Sequence, residues 1–102
     1  MVHVLAVIEL LPGSRDAFLG EFHRIQPEVL AEPGVLEYGV AVDLPTAIER
    51  QAPLRPDVAT IVEKWENLAA LEAHLAAPHM ATYRERVKPY VKGAQLHILE
   101  PV

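Results

Sequence analysis

An α+β fold, with one four-stranded antiparallel sheet carrying helices on a single face, is predicted for this chain by three observations. Four short stretches rich in β-branched and aliphatic residues alternate with blocks of helical periodicity, in the order β-α-β-β-α-β. Glycine and proline punctuate the joins, at Pro12-Gly13, Pro33-Gly34, Pro78 and Gly93. With 102 residues, 51% of them apolar, the chain is sized for a single domain spanning 1–102.

Val2 to Leu10 is too short for a typical globular helix and reads as the first strand, closed by Pro12-Gly13. Ser14 is the expected cap of a first helix over 14–31, with Asp16 in its first turn and Phe18, Phe22, Ile25 and Val29 at helical spacing. Pro27 falls inside that helix and predicts a kink, because it removes one backbone hydrogen bond. Val35 to Asp43 is the second strand, with Tyr38 in its middle. Leu44 to Asp57 carries three prolines and reads as a long loop, placed to edge a pocket or to grip a second subunit. Val58 to Glu66 is the third strand. Its alternation puts Ala59, Ile61, Glu63 and Trp65 on one face and Val58, Thr60, Val62, Lys64 and Glu66 on the other. Asn67 suits the cap of a second helix with Leu68, Leu71 and Leu75 as its core stripe, and Pro78 starts a further turn lined by Met80, Tyr83, Val87 and Val91. Ala94 to Glu100 is the last strand. This order is the split βαβ, or ferredoxin-like, arrangement.

One sheet face is left without helices, and Val58 and Val62 predict that it is apolar. A second sheet supplied by a two-fold homodimer would cover it. The net charge of −5 and the absence of a Lys/Arg cluster argue against nucleic acid and anionic membranes as partners. Without cysteine, disulfides, thiolate nucleophiles and Cys-ligated metals are excluded. The apolar N-terminus has no positive n-region and is too short for a membrane span, so a cytoplasmic location is expected.

The candidate chemistry clusters between residues 63 and 83. Glu63 shares a strand face with the only tryptophan, Trp65, so it either points at a cavity beneath the helices or forms a structural ion pair. An indole wall suits a flat aromatic ligand. His74 lies beside the leucine stripe and reads either as a hydrogen-bonded boundary residue or, with His79 brought near by the bend at Pro78, as part of a proton-handling pair near a buried glutamate. The five-residue spacing of these histidines across a proline does not match the i,i+3 or i,i+4 pattern of helical zinc sites, so no metal is expected. His3, His23 and His97 read as surface or interface residues, and Arg84 and Arg86 as a solvated face. Tyr38 and Tyr83 offer hydroxyls on apolar elements, and in a pocket such groups find their partners on the ligand. No GxGxxG, P-loop or GxSxG turn is present, so no cofactor is expected and a reaction would draw on the substrate's own reactivity.

The segment VEKWENLAALEAHLAAPHMATY, in which E-x-W leads into a leucine-rich helix ending in His and a second His follows a proline, resembles the antibiotic-biosynthesis monooxygenase superfamily of dimeric α+β barrels. The IQPEVLAEPG segment and the closing ILEP extend the likeness over nearly the full chain, and it is greatest to the quinol monooxygenase branch. The resemblance implies a homodimer with an apolar pocket between sheet and helices in each protomer. It implies oxidation of a quinol or another small polyphenolic aromatic by molecular oxygen, with neither metal nor flavin. Glu63, Trp65, His74 and His79 match the motif; on this likeness His74, His79 and Glu63 handle protons, Trp65 stacks the ring, and Tyr38 or Tyr83 orients an oxygen. Other members of the superfamily degrade haem or act on a phosphorylated autoinducer sugar. Two further readings therefore stand beside the oxygenase: an isomerase of a small phosphorylated sugar, which would want positive charge in the pocket, and a non-catalytic ligand-binding dimer.

Overall fold

The computed structural model describes residues 1–102. Its elements are β1 (Val2–Leu10), α1 (Arg15–Leu30), β2 (Val35–Ala41), β3 (Val58–Trp65), α2 (Leu68–Ala76), α3 (Pro78–Val87) and β4 (Val91–Leu99). The sheet order is β2-β3-β1-β4 and every neighbouring pair is antiparallel, as the ferredoxin-like arrangement requires. Only the two inner strands, β1 and β3, pair on both sides.

Side-chain alternation sorts the sheet into two unlike faces. Val4, Ala6, Ile8 and Leu10 of β1 and Ala59, Ile61, Glu63 and Trp65 of β3 are buried beneath the helices. Helix α1 closes over them with Phe18, Phe22, Ile25 and Val29, the set its periodicity predicts. Phe22 and Val29 are wholly buried, and burying side chains of this size contributes about 1.5–3 kcal/mol each. On the opposite face Leu5 and Leu99 remain exposed, while Val7, Val58 and Val62 are half-buried.

Several local expectations are revised. Ser14 makes no side-chain cap; instead its N–H donates to the Leu11 carbonyl across the Pro12-Gly13 turn, where Gly13 takes φ +78°. Asn67 does cap α2, accepting from the Ala70 N–H at 2.9 Å. The expected leucine stripe of α2 is not the buried one, since Leu68 and Leu75 are exposed while Leu71 and His74 are buried. A histidine thus occupies a core position, three residues from Leu71. Val91 does not extend α3, which ends at Val87, but begins β4, opposite Leu10; Gly93 lies inside that strand beside a register shift at Glu9/Leu10. Pro27 remains within α1 on its exposed side, four residues after exposed His23, so the carbonyl it frees faces solvent.

The 42–57 connection has no strand or helix but is tied together. Arg55 pairs with Asp43 through two guanidinium contacts of 2.8 and 3.0 Å, and its own backbone N–H donates to the same carboxylate at 2.9 Å. Leu44 and Ile48 project outward from this loop. No helix is long and apolar enough to cross a membrane.

Candidate active site

The site is built where the centre of the sheet meets the α2–α3 corner. Tyr38 of β2 and Glu63 of β3 are register partners and both project to the helix-covered face. Two residues along β3, Trp65 donates its indole N–H to Glu63 Oε1 at 2.9 Å. The imidazole of His74 lies over the indole with ring centres 4.6 Å apart, and Tyr38 meets that imidazole edge-on at 5.4 Å. Phe22 of α1 stacks on Tyr38 at 5.1 Å, which fixes the phenol from a third element. These contacts hold the His74 ring in one plane.

The residue that orients His74 is Glu32, in the turn after α1. One of its oxygens lies 2.9 Å from His74 Nδ1 and 2.8 Å from His79 Nε2. Both ring nitrogens donate to the carboxylate, because two acceptors cannot bond one another. His74 therefore carries its proton on Nδ1 and presents the Nε2 lone pair on the other side of the ring. The Glu32 turn is itself anchored: the Glu66 N–H donates to the Gly34 carbonyl at 2.8 Å, and Gly34, at φ +82°, sits so close to α2 that an added Cβ would lie 2.7 Å from Ala70 Cβ. Sequence reasoning takes Glu32-Pro33-Gly34 only as punctuation. Glu32 is 42 residues from His74 and 47 from His79, so no local spacing marks it.

Beside this cluster lies a cavity of about 530 Å³ between the sheet and helices α2 and α3. Most of its lining is apolar, including Ile8, Phe18, Met80, Val87 and Leu96; the polar groups at it are Tyr38, Glu63, His74, Tyr83, Arg84 and Lys88. His74 Nε2, the second Glu63 oxygen and both tyrosine hydroxyls have no protein hydrogen-bond partner. His3 Nε2, on the far side of the sheet, is the only buried side-chain polar atom shut off without a partner, so the free atoms of these four residues keep access to the cavity they line.

Of the predicted site residues, Tyr38, Glu63, His74 and Tyr83 meet at this cavity. Trp65, expected to stack a ligand, is wholly buried behind His74 and takes no part in the lining; its indole holds Glu63 and supports the imidazole. His79 is also absent from the lining. It braces Glu32 from behind and opens onto a separate, mostly polar cleft of about 260 Å³ with Glu21, Arg24, Glu28 and Arg86. Arg84 is exposed, as the solvated-face reading expects, and it also borders the cavity. The 44–57 loop does not line it. No set of three or more His, Asp or Glu side chains is arranged to hold a metal ion.

Electrostatics give these groups distinct states. Burial holds His74 below the ordinary histidine range, outweighing the hydrogen bond and charge of Glu32, and so favours the neutral ring. Burial pushes the Glu63 carboxyl up to about 7; the Trp65 hydrogen bond opposes this and the Glu32 charge adds to it. Tyr38 and Tyr83 are raised above the usual phenol range, chiefly by burial, and stay neutral donors. The cavity therefore presents one neutral base, one carboxyl poised to hold or release a proton near neutrality, and two phenolic donors.

Residues 1–86 match the family model described as antibiotic biosynthesis monooxygenase. The chain belongs to that monooxygenase family. It is 41% identical to the probable quinol monooxygenase YgiN of Escherichia coli K12, with 99% of this chain and 98% of the relative covered, and equally to that of Shigella flexneri. Among solved structures, a conserved protein from Methanosarcina mazei superposes with a TM-score of 0.82 at 20% identity, covering 99% of this chain and 92% of the other. A Pseudomonas aeruginosa protein does so with 0.79 at 21%, covering 99% and 93%. At such identities the two structures bear on the fold alone. The family match and the full-length relative bear on the monooxygenase class.

Proposed function

We propose that this protein oxidises a quinol or another small polyphenolic aromatic with molecular oxygen, without a cofactor, and does so as a homodimer. The observation that supports the reading is the convergence of four polar atoms without a protein partner, His74 Nε2, the second Glu63 oxygen and the Tyr38 and Tyr83 hydroxyls, on one mostly apolar cavity. A flat aromatic ring fits the apolar walls, and its hydroxyls satisfy the polar atoms that the protein leaves free.

In this reading His74 Nε2 removes a phenolic proton, and the Glu32 carboxylate stabilises the imidazolium that forms. The neutral phenols of Tyr38 and Tyr83 donate hydrogen bonds to substrate oxygens. The electron-rich phenolate passes one electron to dioxygen, and the resulting semiquinone and superoxide combine at a ring carbon. The O–O bond of the adduct then breaks; the distal oxygen leaves as water with the carbon-bound hydrogen and one returned proton, and the carbon keeps the other oxygen as a carbonyl. Overall, quinol plus O₂ gives hydroxyquinone plus H₂O. The returned proton is the one His74 took; Glu63, half protonated close to neutrality, would relay it, giving a proton to the hydroxide and regaining one from the imidazolium. The helix-free sheet face supports the dimer: its Leu5, Val7, Val62 and Leu99 form an apolar surface suited to a second sheet.

The test is oxygen uptake with menadiol in metal-free buffer. Consumption well above autoxidation is expected, with His74→Ala lowering kcat by about a hundredfold or more. A wild-type rate equal to autoxidation removes the reading for quinols. Full activity in His74→Ala removes the assignment of the base.

A further inference from the structure

Two cations stand on the cavity side of α3 and just beyond its end, four residues apart and so one helical turn from each other: Arg84 and Lys88. Neither has a carboxylate partner, although the chain has 14 acidic residues to 9 basic ones. Arg15, Arg50 and Lys92 also lack a carboxylate partner, but of these unpaired cations only Arg84 and Lys88 line the cavity. Arg86 and Arg24 pair with Glu21, Arg55 with Asp43, and Lys64 with Glu37. Arg84 is also tied in place, because its guanidinium donates to the Leu75 carbonyl near the end of α2, at 2.6 Å. Arg84 thus ties α3 to the end of α2, whereas Lys88 makes no side-chain hydrogen bond or ion pair, and like charges at i,i+4 repel slightly. The only carboxylate at the cavity is Glu63, which is engaged by Trp65.

We infer that the cavity recognises an aromatic substrate bearing an anionic substituent, a carboxylate or a group of similar charge, held at Arg84 and Lys88 while the phenolic ring reaches Tyr38, Glu63 and His74. This rests on the proposed function for the identity of the ring, but the anion site stands on its own geometry. A fixed guanidinium supplies directional paired donors and the lysine supplies a mobile point charge, a combination that binds a carboxylate at the rim of an apolar cavity. The apolar walls then discriminate by ring size and the rim discriminates by charge.

The probes are 2,5-dimethoxybenzoate and its methyl ester, which share a ring and differ in charge; neither has a phenolic proton to lose. Calorimetric titration of the wild-type protein is expected to show the acid binding about tenfold or more tightly than the ester at low salt, with the gap narrowing as salt rises. Arg84→Gln and Lys88→Gln should each cut this preference severalfold and together abolish it, with circular dichroism confirming that the fold is kept. Equal binding of acid and ester, binding of neither, or a preference that survives the double substitution would overturn the proposal. Menadiol oxidation separates the two ideas: a protein that prefers the acid probe but leaves menadiol unoxidised loses the quinol reading and keeps the anion site.

Discussion

Replacing Glu63 with glutamine should make the protein progressively more stable than wild type as pH rises. In the folded chain this carboxyl is pushed from an ordinary 4.5 up to about 7, principally because it is buried. A raised folded value means that the native state holds the proton more tightly than the unfolded chain does. The associated stabilisation is complete below pH 4.5 and is lost as pH climbs through 7. Raising this carboxyl from 4.5 to about 7 corresponds to about 3 kcal/mol of differential stability. The substituted side chain would keep an amide oxygen for the Trp65 indole N–H while losing the titration. Urea unfolding of both proteins at matched concentration, from pH 4.5 to pH 8.5, gives the stability difference directly. That difference should grow by about 3 kcal/mol over the range, with most of the change between pH 5 and 7.5, because other titrating groups cancel between the two proteins. A pH-independent difference would show that Glu63 ionises as freely when folded as when unfolded, and the account of it as a poised proton donor would fall with it.

Glu32→Gln should lower kcat/KM for menadiol by about ten- to a hundredfold, because it removes the charge that steadies the His74 imidazolium; KM should move less than kcat. The same change is expected to cost about 1.5–3 kcal/mol in urea unfolding at pH 7, the worth of a hydrogen bond to a charged group. Gly34→Ala should destabilise by about 2 kcal/mol or more, since it combines a positive φ with a Cβ set 2.7 Å from Ala70 Cβ. It should also reduce oxygen uptake by displacing Glu32. The acid limb of kcat/KM against pH should lie below 6.5, because burial lowers His74 from that ordinary value, and a limb above 6.5 would exclude this ring as the base.

Much of the fold was legible because it depends on short-range periodicity. The two faces of β3 and the four buried positions of α1 follow from spacings of two and of three to four residues, which neighbouring elements do not alter. Asn67 was legible for a similar reason, as its cap is completed within three residues. Ser14 was not, because the turn at Gly13 sets the entry to α1 through the backbone instead. The site was half legible. Glu63 and His74 stand out as polar residues among apolar ones, whereas Glu32 is defined only by partners more than forty residues away. Alternation also fixed which face Trp65 is on without fixing its depth, and it is the packing of His74 over the indole that removes it from the cavity wall. Arg84 is solvent-facing as its sequence context suggests, but that it also borders the cavity depends on elements far along the chain, among them Tyr38 of β2 and Leu96 of β4.

The clasp between the Glu32–Gly34 turn and the Glu66–Ala70 corner has a bearing on how chains of this kind can diverge. Two short connections, far apart in sequence, interlock like teeth, and the acid behind the imidazole hangs from that joint. Insertion or deletion of one residue in either connection would swing the acid away from its ring, whereas the 42–57 excursion could lengthen or shrink freely. Relatives sharing this chemistry should therefore show rigid spacing at both joints and elastic spacing between the second and third strands.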